Sequence, residues 1–122
     1  YKVRKHALIA IKLDPDYDGT LHVMGRWHYE LANLSKAERI IASIVYTKPP
    51  NGTYVDAAAF FKKAIDAKPD EIRHWLWHGK SLIEVGDIKE ARKSLSTAID
   101  IKAYDNSGKL LQKEAKDFLE DL

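Results

Sequence analysis

The chain has 122 residues; 45% are hydrophobic, 31% are charged, and 20 Lys and Arg face 18 Asp and Glu, for a formal net charge of +2. This length predicts one domain with its own core, and the composition excludes a disordered or collagen-like chain. The charge excess is too small to indicate nucleic-acid binding, and the lack of cysteine excludes disulfides and thiolate zinc sites. The most apolar stretch, residues 40–46, is far shorter than the roughly 20 residues of a membrane span, so we expect a cytoplasmic domain with no transmembrane segment.

Residues 1–17 start without Met and have the character of a helix interior. Ala7 and Ala10 precede Pro15 at the spacing found in the second helix of a tetratricopeptide repeat, a helical hairpin of about 34 residues. We therefore expect residues 1–17 to be the second helix of a truncated repeat, and the chain to be a piece of a longer protein.

Residues 18–71 predict a repeat with an insertion between its two helices. Gly25 fits the first helix, but Ala57 and Phe61 reach their positions in the second helix about 20 residues late. Ser35 and Glu38 have capping-box spacing, which predicts an inserted helix at about 34–53. The predicted apolar face of that helix consists of Ile40, Ile41, Ile44 and Val45.

Residues 72–105 predict a regular repeat, and residues 106–122 a terminal helix that caps the stack. Gly79 marks a close helix crossing, and Leu95 stands where a large apolar residue fills the space beside it. Thr53 and Asp87 are predicted N-caps. The predicted fold is all-α: one tetratricopeptide-like helical repeat stack (an α-α superhelix) of about seven helices over residues 1–122, with an elongated middle repeat and a C-terminal capping helix.

The first helices of such repeats line a concave groove. The groove positions in this chain are His22, Arg26, Tyr29, Arg73, Leu76, Lys80 and Ile83. Three cations among them predict a basic patch, which suits an acidic peptide or a phosphate head group. In the alternative interpretation these charges form solvated pairs with Glu30 and Glu84.

The aromatic and imidazole side chains also allow a structural or a functional interpretation. Trp27 and Trp75 are predicted core residues, whereas Trp77 either borders the groove or packs under the neighbouring repeat. His74 and His78 have a spacing that can hold a metal, but the intervening residues lack the Glu of a metalloprotease helix. We expect no metal ion and no cofactor. The sequence also lacks a phosphate-binding loop and a nucleophile elbow, so we expect no enzyme activity.

Several short segments resemble the regulator of microtubule dynamics family. They are Gly25 to Glu30, Leu34-Ser35, Glu38-Arg39, Pro49-Pro50 with Thr53-Tyr54, Gly79-Lys80, and Lys113 to Ala115 with Leu119. The resemblance implies a tetratricopeptide-like domain with an elongated middle repeat and no catalysis. It also implies an adaptor associated with microtubules, with tubulin as a partner, and in some members membrane contact sites and lipid binding.

Three functions follow from these observations as hypotheses. The first is a protein-binding adaptor whose basic groove takes an acidic protein segment. The second is a lipid-binding, lipid-transfer or membrane-tethering domain that takes an anionic phospholipid. The third is a scaffold that self-associates through the inserted helix.

Overall fold

The computed structural model describes residues 18–42 and 53–122, with side chains described as far as Leu34 in the first range. In these ranges the chain forms five α-helices and no strand. The helices are α1 (Asp18–Ala42), α2 (Tyr54–Ala67), α3 (Ile72–Val85), α4 (Ile88–Asp100) and α5 (Asn106–Glu120). The all-α class is therefore confirmed for the described part of the chain.

Side-chain caps start α2 and α4 where the sequence predicted them. Thr53 Oγ1 accepts a hydrogen bond from the backbone N–H of Asp56 at 3.0 Å, and the Asp87 carboxylate accepts one from Glu90 at 3.3 Å. Each cap satisfies a backbone N–H that has no partner within its own helix. Between these two helices, α3 ends at Gly86, whose φ of 95° lies in the left-handed region that favours glycine.

The first helix differs from its prediction. α1 runs through 25 residues without interruption, so the helix start predicted at Ser35 does not occur. An N-cap residue must leave the helical conformation, whereas the strong helix formers Ala37, Glu38 and Arg39 carry α1 through this segment. The truncated-repeat helix predicted for residues 1–17 lies outside the described residues, and so does the part of the predicted insertion at 43–52.

Two glycines allow successive helices to approach closely. A Cβ atom on Gly25 of α1 would lie 2.6 Å from the Phe61 ring of α2, and one on Gly79 of α3 would lie 2.7 Å from the Leu95 side chain of α4. Both crossings pair a missing side chain with a large apolar one, as the repeat pattern predicted. They bring α1 against α2 and α3 against α4.

The buried apolar residues form two clusters. One joins α3, α4 and α5 through Ile72, Leu76, Leu95, Ala98 and Ala115. The other joins α1 and α2 through Tyr29, Ala57 and Phe61, with Trp77 of α3 packed against it. Trp77 therefore connects the second cluster to the helix that carries the first one.

Gly25→Ala tests the α1–α2 crossing. Alanine normally stabilises a helix interior relative to glycine by about 0.5–1 kcal/mol, but here the methyl group overlaps the Phe61 ring. We expect the free energy of unfolding to fall by about 1–3 kcal/mol in urea denaturation followed by circular dichroism. The Gly25→Ala/Phe61→Leu double variant should lose less than the sum of the single variants. A Gly25→Ala variant as stable as the wild type contradicts this packing.

Candidate ligand-binding site

A cavity of about 790 Å³ lies between α1 and α3 and reaches α5. Its apolar and aromatic walls are formed by Val23, Trp27, Leu31, Leu34, Trp77 and Leu111. Its polar lining consists of His22, Arg26, Glu30 and Arg73. The cavity therefore combines a large apolar surface with two guanidinium groups and one carboxylate.

The helical repeat of α1 supplies most of the apolar wall. Val23, Trp27, Leu31 and Leu34 follow one another at intervals of four or three residues, which places them on one side of the helix. Trp27 is buried, as predicted, whereas Leu34 is 52% exposed. These four residues form one apolar face of α1 that continues to Leu34. Because α1 is unbroken there, the apolar wall of the cavity is longer than the predicted groove.

Trp77 receives cations from two helices. The Arg26 guanidinium carbon lies 3.8 Å from the centroid of the indole ring, and the Lys80 ammonium lies 3.6 Å from it. The negative face of an indole attracts such cations, most strongly where water is excluded. Trp77 also lines the cavity, so the sequence alternative that it borders the groove agrees with its position.

The two arginines of the cavity each keep one polar atom without a hydrogen bond. Arg26 pairs through Nη2 with Glu30 at 2.9 Å, while its Nε is buried and makes no hydrogen bond. Arg73 Nε is buried too; it lies 3.5 Å from Glu71 Oε1, an ion-pair distance without hydrogen-bond geometry. A buried N–H without an acceptor is costly. The two side chains as a whole are 40% and 42% exposed, so an oxyanion in the cavity meets the exposed ends of the guanidinium groups and not these buried atoms.

Lys80, expected in the same basic patch, is used elsewhere. Its side chain is only 11% exposed and pairs with Glu114 of α5 at 3.2 Å. Its ammonium also lies within 5.6 Å of the Tyr29 and Phe118 ring centroids. The basic patch of the cavity therefore consists of Arg26 and Arg73, and Lys80 links α3 to α5.

Two further predicted groove residues lie in the core, and a third packs against it. Leu76 is completely buried, Ile83 packs against the same cluster, and Tyr29 is buried against Phe61. At 3.6 residues per turn, Leu76 and Ile83 lie about 60–80° around α3 from Arg73, which turns them towards α4 and α5. The groove prediction thus combined two faces of α3. Of the apolar face predicted for the inserted helix, the side chains of Ile40, Ile41, Ile44 and Val45 lie outside those described.

A buried line of polar contacts connects α1 to α3 beside the cavity. Asp18 Oδ2 lies 2.8 Å from His74 Nε2, and His74 Nδ1 lies 3.0 Å from His22 Nδ1. His74 is completely buried, and His22 is 5% exposed and lines the cavity. This line was not predicted, because residues 52 and 56 positions apart give no local sequence signal.

Burial keeps both imidazoles neutral. Desolvation, followed by the neighbouring His74, Arg73 and Arg26, lowers the pKa of His22 to about 3. Desolvation also lowers the pKa of His74, against the opposing effect of the Asp18 carboxylate. For Asp18 burial acts to raise the pKa, but the hydrogen bond and charge of His74 and the nearby Lys68 and Arg73 lower it. Asp18 is therefore an anion at neutral pH.

His78 is held separately from this line. Its Nδ1 lies 3.0 Å from Ser94 Oγ, and that hydroxyl donates to the Trp75 carbonyl, so Nδ1 carries the proton. Desolvation and then Lys62 lower the pKa of His78 to about 4. His74 and His78 thus have different partners, and within residues 18–42 and 53–122 no three His, Asp or Glu side chains converge as metal ligands.

Membrane insertion was also assessed on the described helices. None of them is both long enough and apolar enough to span a bilayer.

Comparison with known proteins adds a family to this geometry. The family model described as "Regulator of microtubule dynamics protein 1-3" matches residues 1–122. The chain belongs to this family. The resemblance noted in the sequence is thereby confirmed.

Three relatives in the regulator of microtubule dynamics family illustrate the level of similarity. The chain is 31% identical over 120 residues to Regulator of microtubule dynamics protein 1 of Bos taurus, covering 98% of this chain and 38% of that protein. The Caenorhabditis elegans protein of the same name is 33% identical over 111 residues, or 91% of this chain and 49% of its own length. Regulator of microtubule dynamics protein 3 of Rattus norvegicus is 28% identical over 118 residues, covering 96% of this chain and 25% of that protein. The chain thus spans less than half of each of these relatives.

The neutral histidines predict loss of stability in acid. In the unfolded chain both histidines are protonated below their ordinary pKa of about 6.5. In the folded protein His22 is protonated only near pH 3 and His78 only near pH 4. Because the unfolded state binds more protons between these values, acid favours unfolding. We expect the free energy of unfolding in urea to fall steadily from pH 7 to pH 4. In His78→Gln the slope between pH 6 and 5 should decrease by about 1 kcal/mol per pH unit. An unchanged slope contradicts a neutral, buried His78.

Proposed function

We propose that this chain is a non-catalytic binding module of a microtubule regulator, which holds an acidic protein segment in the cavity between α1 and α3. The observation that carries the proposal is the placement of Arg26 and Arg73 in one cavity with apolar walls. The names of the relatives, regulators of microtubule dynamics, support a partner in the microtubule cytoskeleton, and tubulin is our candidate.

We also propose a tetratricopeptide-like arrangement of the helices. The close contacts of Gly25 with Phe61 and of Gly79 with Leu95 support it, because they recur at equivalent places in two successive helical pairs. Such a stack holds its cavity open before the ligand arrives, so little ordering is required of the protein on binding.

The chemistry of the cavity restricts the acidic segment further. Two guanidinium groups suit a carboxylate, since each offers a planar set of donors and the two side chains are 40% and 42% exposed. The walls around Trp27, Trp77 and Leu31 suit an apolar side chain. The preferred segment therefore carries an acidic residue beside a large apolar one. Glu30 opposes it, because its carboxylate already accepts a hydrogen bond from Arg26 Nη2.

An anionic phospholipid is the second candidate ligand. The apolar walls suit an acyl chain as well as an apolar side chain, and the arginines suit a phosphate. Native mass spectrometry of the freshly purified protein distinguishes the two candidates: a retained phospholipid supports the lipid, and protein without bound lipid supports the peptide. Self-association, the third hypothesis, predicts a mass that increases with protein concentration in analytical ultracentrifugation.

Charge variants test the acidic-segment proposal in microtubule cosedimentation. Arg26→Glu and Arg73→Glu should each lower the bound fraction at least severalfold, because each turns an attraction into a repulsion. Glu30→Gln should raise it, because the competing carboxylate is removed. Lys89→Glu, an exposed position on α4 away from the cavity, makes the same change in net charge as the arginine variants and should leave binding unchanged.

Salt and the acidic tails of tubulin provide the remaining controls. The bound fraction should decrease as the salt concentration is raised from 50 to 200 mM, because salt screens the attraction between exposed charges. Microtubules from which the acidic tails have been removed should lose the arginine-dependent part of the binding. Binding that is equal for Arg26→Glu, Arg73→Glu and Lys89→Glu contradicts the assignment of this cavity.

A further inference from the structure

The buried line from Asp18 to His22 ends at the wall of the cavity. Asp18 and His22 are both in α1, and His74, which bridges them, is in α3. The His22 ring is enclosed by Phe61 at 5.1 Å and the edge of Trp77 at 6.4 Å between ring centroids. These contacts hold the ring in one orientation at the surface of the cavity.

Each member of the line determines the proton position of the next. The Asp18 carboxylate can only accept a hydrogen bond, so His74 Nε2 carries a proton and donates it. A neutral His74 has no second proton, so its Nδ1 accepts and His22 Nδ1 donates. A neutral His22 is then left with a bare Nε2. The lowered pKa values of both histidines, set by desolvation with Arg73 and Arg26 nearby, agree with these neutral forms.

We propose that His22 Nε2 is a fixed hydrogen-bond acceptor of the cavity, and that the ligand bears a hydrogen-bond donor, an amide N–H or a hydroxyl, beside its oxyanion. This inference rests on the proposed function, because it concerns the ligand of the same cavity. His22 is a binding residue in this scheme. Asp18 and His74 are positioning residues, which act by fixing the tautomer of His22.

The acceptor and the arginines together define a pattern that one acidic residue can satisfy. Arg26 and Arg73 supply N–H donors for a carboxylate, and His22 supplies an acceptor for the backbone N–H next to it. A ligand without the donor covers the bare nitrogen and leaves it unpaired, which weakens binding. The cavity should therefore discriminate between two ligands of equal charge and similar apolar size that differ in whether the amide nitrogen carries a hydrogen atom or a methyl group.

N-lauroylglycine and N-lauroylsarcosine form such a pair. Both carry a carboxylate and a lauroyl chain, but the sarcosine amide is methylated and cannot donate. We measure their affinities for the full chain by calorimetry below their micelle concentrations, with circular dichroism as a check on folding. The wild-type protein should bind the glycine compound about fivefold or more tightly.

Two variants separate binding from positioning. His22→Phe retains a ring but has no acceptor, so it should bind both compounds with similar affinity. Asp18→Asn offers His74 Nε2 an amide donor as well as an oxygen acceptor, so the proton order along the line is no longer fixed and His22 Nε2 carries the proton in part of the molecules. The preference for the glycine compound should then decrease, although the cavity walls and both arginines are unchanged.

Nitrogen-15 spectra of the imidazoles in the wild-type protein give a second readout that needs no ligand and no variant. We expect His74 as the Nε2–H tautomer and His22 as the Nδ1–H tautomer at pH 7. A proton on His22 Nε2 overturns the proposal, and so does equal affinity of the wild-type protein for the two compounds, in which case the proposed anion site remains. If the wild-type protein binds neither compound, the cavity is not a site for apolar anions, and the proposal is overturned as well.

Discussion

The indole of Trp77 occupies the place where α1, α2 and α3 meet. Tyr29 of α1 contacts it edge-on at 5.2 Å, and Phe61 of α2 lies 6.1 Å from it between ring centroids. Arg26 and Lys80 bring positive charges to within 4 Å of its ring centroid. The same side chain therefore packs the helices together and forms a wall of the cavity. Because Arg26 is held against this ring, the position of one cationic group in the candidate site depends on the packing of the three helices.

Polar contacts complement this aromatic junction. Few residues of α1 and α3 contact each other directly. The Asp18–His74–His22 line adds directed hydrogen bonds to this contact. Such buried, directed bonds specify one relative position of the helices more strictly than apolar contact does. The two imidazoles of this line are neutral, so they add no charge to the cavity beside them. The positive charge of the site comes from Arg26 and Arg73.

Membership of the regulator of microtubule dynamics family connects this architecture to a biological setting. The chain corresponds to about two fifths of the mammalian protein 1 relatives, 38% of the Bos taurus protein and 40% of the Mus musculus protein. The cavity therefore lies within the part of the sequence that aligns with these relatives.

Local features of the sequence determined the helices and their closest crossings. Gly25 and Gly79 mark the two crossings, and Thr53 and Asp87 mark two helix starts, because caps and small residues act over a few positions of the chain. Ser35 shows the limit of such reasoning: its spacing to Glu38 fits a helix start, yet the backbone continues through it, since the surrounding residues favour helix.

Tertiary packing alone decided the composition of the site. His22, Arg26 and Arg73 were expected in the groove and line the cavity, whereas Leu76 was expected beside them and is core. A helical pattern tells which residues share a face, but the neighbouring helices decide which face meets water, and α4 and α5 cover the one with Leu76. The hydrogen bond between Asp18 and His74 joins residues 56 positions apart, so it arises only when α1 and α3 are brought together.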